Sequence, residues 1–382
     1  MLLNRLWNCL ASLRLTVLCL LLALVLVFAG TLAQVHVGLY LAQAQYFKSF
    51  LVWWAPPGAD WKIPVYPGGY LIGTVLMLNL VAGHIKRFGF SRKKAGLLMI
   101  HAGLILLLLG QLFTDLLSTE SSMRLTEGET KSYSEDFHAS ELVMIDKSQS
   151  DNDRLVSIPE KLLGRQQEFS AAPMPFTLRI KQFWPNAELS DQPAPGATAI
   201  GASRDIGTRL FILGKPPTTK MDERNLPGAL VEIVTPKETL GSWFVASHLA
   251  RPQTFTVDGK TYEIGMRFLR YYKPFGITLL KFSHDKYQGT EIPKNFSSRI
   301  RVQNASTGED REVLIYMNNP LRYQGETFYQ SSYDQNDPRV SILQVVRNPS
   351  WLTPYLSCTL VGLGLTIHFL LHLFGFIKRK AA

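Results

Sequence analysis

Hydrophobic residues are unevenly spread along this chain, and the spacing between them changes character twice. Three uncharged apolar runs, residues 15–33, 96–114 and 352–376, are each long enough at about 1.5 Å per residue to cross a hydrocarbon core of roughly 30 Å. A fourth, 68–83, is shorter and dotted with glycine. Helices are therefore predicted over about 15–33, 68–84 and 96–116, with a fourth inside 350–382. A signal peptide is the competing reading of the first run. That run exceeds the usual ~7–15 apolar residues and no small-x-small cleavage site follows it, so it is expected to be retained as an anchor.

Between residues 118 and 349 the helical stretches give way to short alternating runs rich in Val, Ile, Phe and Tyr and bounded by Pro, Gly, Asn and Asp, the pattern of half-buried strands. Residues 254–264 read as a hairpin in which Asp258-Gly259 supplies the positive-φ turn. The segment is read as one all-β, sandwich-like domain, interrupted by a long Pro-, Gly- and Ala-rich loop over 186–228. The expected architecture is a membrane protein with four transmembrane α-helices, three before and one after a large extracytoplasmic all-β domain, divided as 1–117, 118–349 and 350–382. The connection after the first helix is expected to form a short amphipathic helix near 36–50. The Trp- and Pro-rich stretch holding Trp53, Trp54, Pro56, Pro57 and Trp61 then joins an aromatic belt at headgroup depth or, alternatively, faces a flat cofactor.

Charge orients this arrangement. Arg5 and Arg14 precede the first helix, Lys86, Arg87, Arg92, Lys93 and Lys94 join the second to the third, and Lys378, Arg379 and Lys380 follow the fourth. With these ten cations set aside, the remaining 30 Lys and Arg equal the 30 Asp and Glu, so the formal charge of +10 belongs to three short segments on one side. Because such residues resist translocation, that side is the cytoplasm, both termini are cytoplasmic and the β domain is extracytoplasmic. Nucleic-acid binding, the other reading of a basic pI, loses its support because the rest of the chain is neutral. No P-loop, dinucleotide fingerprint or internal repeat is present, which disfavours ATP-driven transport by this chain alone.

Of the three cysteines, none pairs as CxxC and none falls in the β domain, which argues against thiol-disulfide chemistry. Histidine is more informative. His138, His248 and His284 lie in the β domain, where a surface position or a satisfied hydrogen bond is the default reading, and His36 lies just outside the first helix. His84, His101, His368 and His372 lie in the helices, where an ionisable group needs a partner or a purpose. Counting along each helix puts all four in the cytoplasmic leaflet, with His368 and His372 on one face at i,i+4 spacing. Neutral imidazole suits haem iron, so His101, within an apolar run, and His368 are the candidate ligands. His84 and His372, nearer the edge, are read as hydrogen-bonding neighbours or reaching the headgroups. Gly103, Gly110, Gly362 and Gly364 allow either close helix approach or room for a flat ligand. No catalytic residue is recognised in the β domain.

Residues 317–334, MNNPLRYQGETFYQSSYD, followed by 340–349, VSILQVVRNP, resemble the signature of the ResB (Ccs1) family of System II cytochrome c biogenesis proteins. So do LASLRLT at 10–16, GTLAQ at 30–34 and FSHDKYQGTEIPK at 282–294, in order along nearly the whole chain. The resemblance implies a subunit of a membrane haem-export and cytochrome c synthase complex, not an enzyme complete in itself. Family members work beside a ResC/CcsA-type membrane protein with a tryptophan-rich motif, delivering haem b for attachment to the CxxCH motif of apocytochrome c. The family's intramembrane haem histidine maps onto His101. The alternative is a scaffold that binds no haem and holds apocytochrome, or a thioredoxin-like thiol reductant, beside the partner.

Overall fold

The computed structural model describes residues 2–56, 61–87, 94–148, 153–170, 172, 174–218, 223–249, 251–286, 288–289 and 293–381. Pro57, Arg92, Lys93, four residues of the 186–228 segment and four of the 282–294 motif lie outside them. The chain divides into a helical unit, Met1–Thr119 with Arg347–Ala382, and a strand-rich unit, Glu120–Thr218 with Asp222–Val346.

In the helical unit, α1 (Leu2–Leu10) breaks at Ala11, and Ser12 caps α2 (Leu13–Val37) by accepting the Arg14 amide at 3.2 Å. The short helix α3 (Leu39–Ala42) runs on into a single π turn, Gln43–Phe47. It is followed by a hairpin of β1 (Leu51–Trp54) and β2 (Ile63–Pro67). The predicted amphipathic helix is thus confined to Leu39–Phe47, and Trp53 and Trp54 of the tryptophan stretch lie in a paired strand. Next come α4 (Gly69–Arg87) and α5 (Ala95–Leu117); a four-residue α6 (Glu160–Leu163) belongs to the strand-rich unit, and α7 spans Thr353–Ala381. Among the described residues, α2, α4, α5 and α7 are long and apolar enough to cross a membrane. Their large side chains point outward: Leu24, Phe28 and Phe369 are each 67% exposed. That inverts the pattern of a water-soluble helix and suits a lipid surround.

Two devices hold these helices together. Gly96, Gly103 and Gly110 recur every seven residues on one buried face of α5, and α7 lies directly on them. A Cβ on Gly96 would stand 2.6 Å from the Gly364 carbonyl oxygen and from the His368 amide nitrogen; on Gly103, 2.7 Å from a Val361 methyl; on Gly110, 2.3 Å from the Thr353 methyl. The two helices therefore run antiparallel with their backbones at the closest approach that glycine permits. Gly364 completes the seam, while Gly362 faces open space. The second device is Asn79, 3% exposed in α4. Its carboxamide accepts from the Thr16 hydroxyl at 2.6 Å and donates to the carbonyls of Leu10 and Ser12, at 2.5 and 3.0 Å, filling the acceptors left open where α1 breaks. A polar side chain in an apolar helix is tolerated because its carboxamide oxygen and its donors all find partners.

In the strand-rich unit a ten-stranded antiparallel sheet is built on two long strands, β4 (Thr130–Asp146) and β14 (Lys260–Lys286), which pair with each other. One half carries β5 (Arg154–Pro159) on β4 and β13 (Gln253–Val257) on β14. It packs on a four-stranded sheet of β6 (Glu168–Ser170), β7 (Thr177–Trp184), β11 (Gly228–Val234) and β12 (Thr239–Ala246), burying Leu142, Leu178, Val231, Ile233, Tyr262 and Ile264. The other half adds β3 (Thr119–Thr126) and β15 (Pro293–Asn304) through β19 around a separate core of Leu125, Ile277, Ile300, Ile315, Phe328 and Leu343. There β16 is Glu309–Tyr316, β17 Leu321–Tyr323, β18 Glu326–Tyr333 and β19 Val340–Arg347. The single sandwich read from sequence is therefore two cores, with β14 contributing to both.

Residues 186–228 are not a plain loop. They hold β8 (Ala187–Ser190), β9 (Thr198–Ala199) and β10 (Phe211–Gly214), a small sheet that closes a third core around Ile200, Ile212 and Phe244. Its strands of two to four residues are too short to show a periodicity. Asp258 and Gly259, at φ 48° and 76°, make the turn between β13 and β14 that the sequence announced.

The glycine seam makes a contrast testable. Gly103→Leu is expected to destabilise the detergent-solubilised protein by about 1–3 kcal/mol through overpacking, while Gly362→Ala leaves its melting temperature unchanged. Equal melting temperatures for the two variants would contradict the α5–α7 packing.

Candidate functional site: histidines of the helical unit

The four helix histidines fall into two pairs. His84, three residues before the end of α4, meets His101 of α5, their Nδ1 atoms 3.2 Å apart and their ring centroids at 5.3 Å. His368 and His372 stack edge to face along α7 with centroids at 4.5 Å. Sequence counting placed all four at one depth. The seam separates them, because Gly96 abuts His368 and so His101, five residues further along α5, stands about 7.5 Å away along the helix axis. It also turns away: at about 100° per residue, His101 lies roughly 140° around α5 from Gly96 and 160° from Gly103. The face of α5 that carries His101 is therefore the one opposite α7, and it is directed to α4.

A bond between two imidazole Nδ1 atoms needs one ring to donate and the other to accept, so each ring fixes the other's tautomer. A histidine that binds a metal commonly has its second ring nitrogen held by a neighbour, which fixes tautomer and orientation. The His84–His101 pair has the form of a ligand and its orienting group. It is the feature the sequence did not disclose, since 17 positions separate the two residues and nothing in either helix alone shows which faces meet.

The same end of the unit gathers the cations. Lys86 of α4 donates to the Asn8 side chain of α1, Lys94 precedes α5, and Lys378, Arg379 and Lys380 lie in the last turn of α7. At the opposite end, Asp115 of α5, 12% exposed, accepts from Tyr70 of α4 and pairs with Lys48 at 2.5 Å, which follows the π turn. Thr114 and Asn348 are hydrogen-bonded beside it at 3.3 Å. An acidic side chain near a helix end is thereby neutralised within the unit. The hairpin at this end exposes Trp53 and Trp54, 49% and 51%, with Lys62 over the Trp53 ring at 5.5 Å.

The histidines of the strand-rich unit are dispersed. His138 sits against Phe137, and burial, with Arg224 adding to it against the pull of Asp136, holds its pKa below the ordinary 6.5. Arg224 lies between the Phe137 and Phe268 rings at 4.4 and 4.5 Å. His248 is also held below its ordinary value by burial. His284 stacks on Phe296 at 4.7 Å and meets the Tyr333 ring at a tilt at 4.5 Å. Among the described residues no group of three or more His, Cys, Asp or Glu could hold a metal ion. Residues 317–334 prove to be both core and surface: Leu321 and Phe328 are buried, the Tyr323 hydroxyl donates to Glu309 at 2.7 Å, and Arg322 and Tyr329 are exposed.

The fold is that of a protein with membrane-length helices and a large β-rich unit. Residues 241–346, from β12 to β19, match the model of the ResB-like family. The chain is also similar to Protein NrfI of Wolinella succinogenes, with 35% identity over 92 residues. That match covers 24% of this chain and only 10% of the relative's length.

A double-mutant cycle tests the histidine pair. His84→Ala and His101→Ala are expected to couple by about 0.5–1.5 kcal/mol in thermal stability, whereas His101→Ala and His368→Ala add independently. Zero coupling in the first cycle would contradict the pairing.

Proposed function

We propose that this chain is a membrane subunit of the machinery that assembles c-type cytochromes, receiving haem at its basic, cytoplasmic end and serving its delivery across the inner membrane. The observation that carries the reading is the His84–His101 pair at the end of the helical unit where the cations gather, in a chain whose residues 241–346 match the ResB-like family. The donor chemistry fits haem b as cargo: neutral imidazole is a good iron ligand, and a ring held by a neighbour at Nδ1 is oriented as a metal-binding histidine is. His101, further from the helix end, is assigned as the ligand and His84 as the group that orients it. His368, on the other side of the seam, is a separate site for a ligand if it serves as one.

The basic flanks support an orientation with both termini in the cytoplasm and the strand-rich unit outside, where apocytochrome c would present its CxxCH motif. A ResC/CcsA-type membrane protein supplies the rest of the haem path, and the exposed apolar surfaces of α2 and α7 are broad enough for lipid or for such a partner. A thioredoxin-like reductant would act on the apocytochrome cysteines, since none of Cys9, Cys19 and Cys358 of this chain forms a disulfide.

Co-purification with the partner protein gives the test. His101→Ala is expected to remove most of the haem absorbance from the complex and to regain it with added imidazole, while His84→Ala shifts the haem spectrum with smaller loss. Unchanged haem content and spectrum in His101→Ala would overturn the assignment.

A further inference from the structure

On one side the first half of the ten-stranded sheet ends at β13, and the backbone of that strand is satisfied along one edge only. The Lys147 amide donates to the Thr261 carbonyl at 3.1 Å, so Thr261 turns its peptide groups toward the β4 side of β14. By alternation Lys260, Tyr262 and Ile264 turn theirs to β13, where they pair with Val257, Phe255 and Gln253. The N–H and C=O groups of Thr254 and Thr256 therefore point away from the sheet. Among the described residues nothing bonds them.

An open edge invites pairing with another chain, and proteins guard such edges with charge, proline, bulges or a covering segment. Other edges of this unit carry guards of these kinds. The Ser242 carbonyl of β12 accepts the Ser203 and Arg204 amides at 3.2 and 3.1 Å, which covers that strand. β5 begins at Arg154 and ends at Pro159, and β16 opens with Glu309, Asp310, Arg311 and Glu312. β13 reads Gln-Thr-Phe-Thr-Val, with no charge, no proline and no shift of register.

A groove of about 400 Å³ runs beside this unguarded edge. Its floor is the margin of the first core, where Trp243 and Phe255, 5% and 6% exposed, meet with ring centroids at 5.5 Å beside Leu240. Arg204 and Asp205 form the far lip, and Arg204 Nε holds it to β12 by donating to the Leu240 carbonyl at 3.2 Å. In a strand added to β13, the residue opposite Phe255 shares its face and so directs its side chain into the groove. The residues on either side of it share the outward face of Thr254 and Thr256, which is exposed.

We infer that the free edge of β13 takes an extended polypeptide as an added strand, with an apolar side chain seated on Leu240, Trp243 and Phe255. Peptide groups presented at every second residue are matched by the peptide groups of another extended chain, and the groove selects among the side chains it brings. The occupant is the unfolded chain of apocytochrome c. That chain must offer its CxxCH cysteines before it can close a core around haem, so it reaches the outer side extended. The partner rests on the reading of this protein as a cytochrome-assembly subunit; the edge and the groove do not.

The test uses the full chain in phosphatidylcholine nanodiscs and a fluorescently labelled cytochrome c stripped of haem, with its CxxCH cysteines alkylated. The same cytochrome with haem attached is the folded control. Saturable binding of the haem-free chain is expected, with the folded control weaker by about tenfold or more. Thr256→Pro removes one outward N–H at an edge position where proline is tolerated, and is expected to weaken binding by about tenfold or more. Thr256→Ala keeps that N–H and is expected to bind as the unsubstituted protein does. In the unsubstituted complex, hydrogen exchange at the Thr254 and Thr256 amides is expected to slow by about tenfold or more, a readout that needs no variant to fold. Binding with no protection of these two amides, equal binding to Thr256→Pro, equal binding of the folded control, or no binding would each overturn the inference. None of these results bears on the haem content of His101→Ala, by which the functional reading stands or falls.

Discussion

The close contact of α5 with α7 is the constraint from which the histidine geometry follows. Three glycines at heptad spacing let two backbones meet where any side chain would strike a carbonyl, an amide or a methyl. In a bilayer there is little hydrophobic drive to bring helices together, so such contacts depend on dispersion over a close-fitting surface. Once that face of α5 is committed to α7, the opposite face has one disposition left, and His101 turns to α4. The same contact staggers His368 against the start of α5, which is why four histidines of similar nominal depth become two pairs instead of one cluster.

The polar groups of the helices obey a common rule. Asn79, Asp115, Tyr70, His84 and His101 are each held by a group of a neighbouring segment within the same unit. Asn79 and Asp115 are explained by structure alone: one closes the break between α1 and α2, the other ties Lys48 to the far end of α5. The histidine pair differs, because each imidazole is the other's partner: a ring held at Nδ1 has its tautomer and orientation fixed as a metal ligand's are, and that is the physical ground of the proposed ligand site.

Much of this was legible in the sequence, for reasons that can be named. Long apolar runs, flanking cations and an Asp-Gly turn are local signals, and α2, α5, α7 and the β13–β14 hairpin follow them. What stayed hidden depended on partners distant in sequence. Gly96 carries no signal of its own, because a seam of small residues has meaning only when the helix lying on it is known. His84 reads as an edge residue in sequence because its tie to His101 joins two helix faces. The β1–β2 hairpin was read as an interfacial stretch because Trp, Pro and Lys mask strand alternation, and β8 to β10 were read as loop because their strands are too brief to show a period. The two long strands were read as several short ones. Pro274 and Gly276 interrupt the pattern of β14, and four residues, Asp136 to Ala139, bulge from β4, where the Asp136 carboxylate accepts the His138 and Ala139 amides at 2.8 Å.

The two-faced character of α5 is the claim on which the rest stands, and cross-linking in native membranes tests it most directly. Cysteine pairs replacing His84 with His101, and His101 with His368, are placed in a chain whose own three cysteines are changed to serine, then treated with a short bifunctional maleimide. The account predicts efficient cross-linking of positions 84 and 101 and none of 101 and 368. Cross-linking of 101 to 368, with none between 84 and 101, would contradict it.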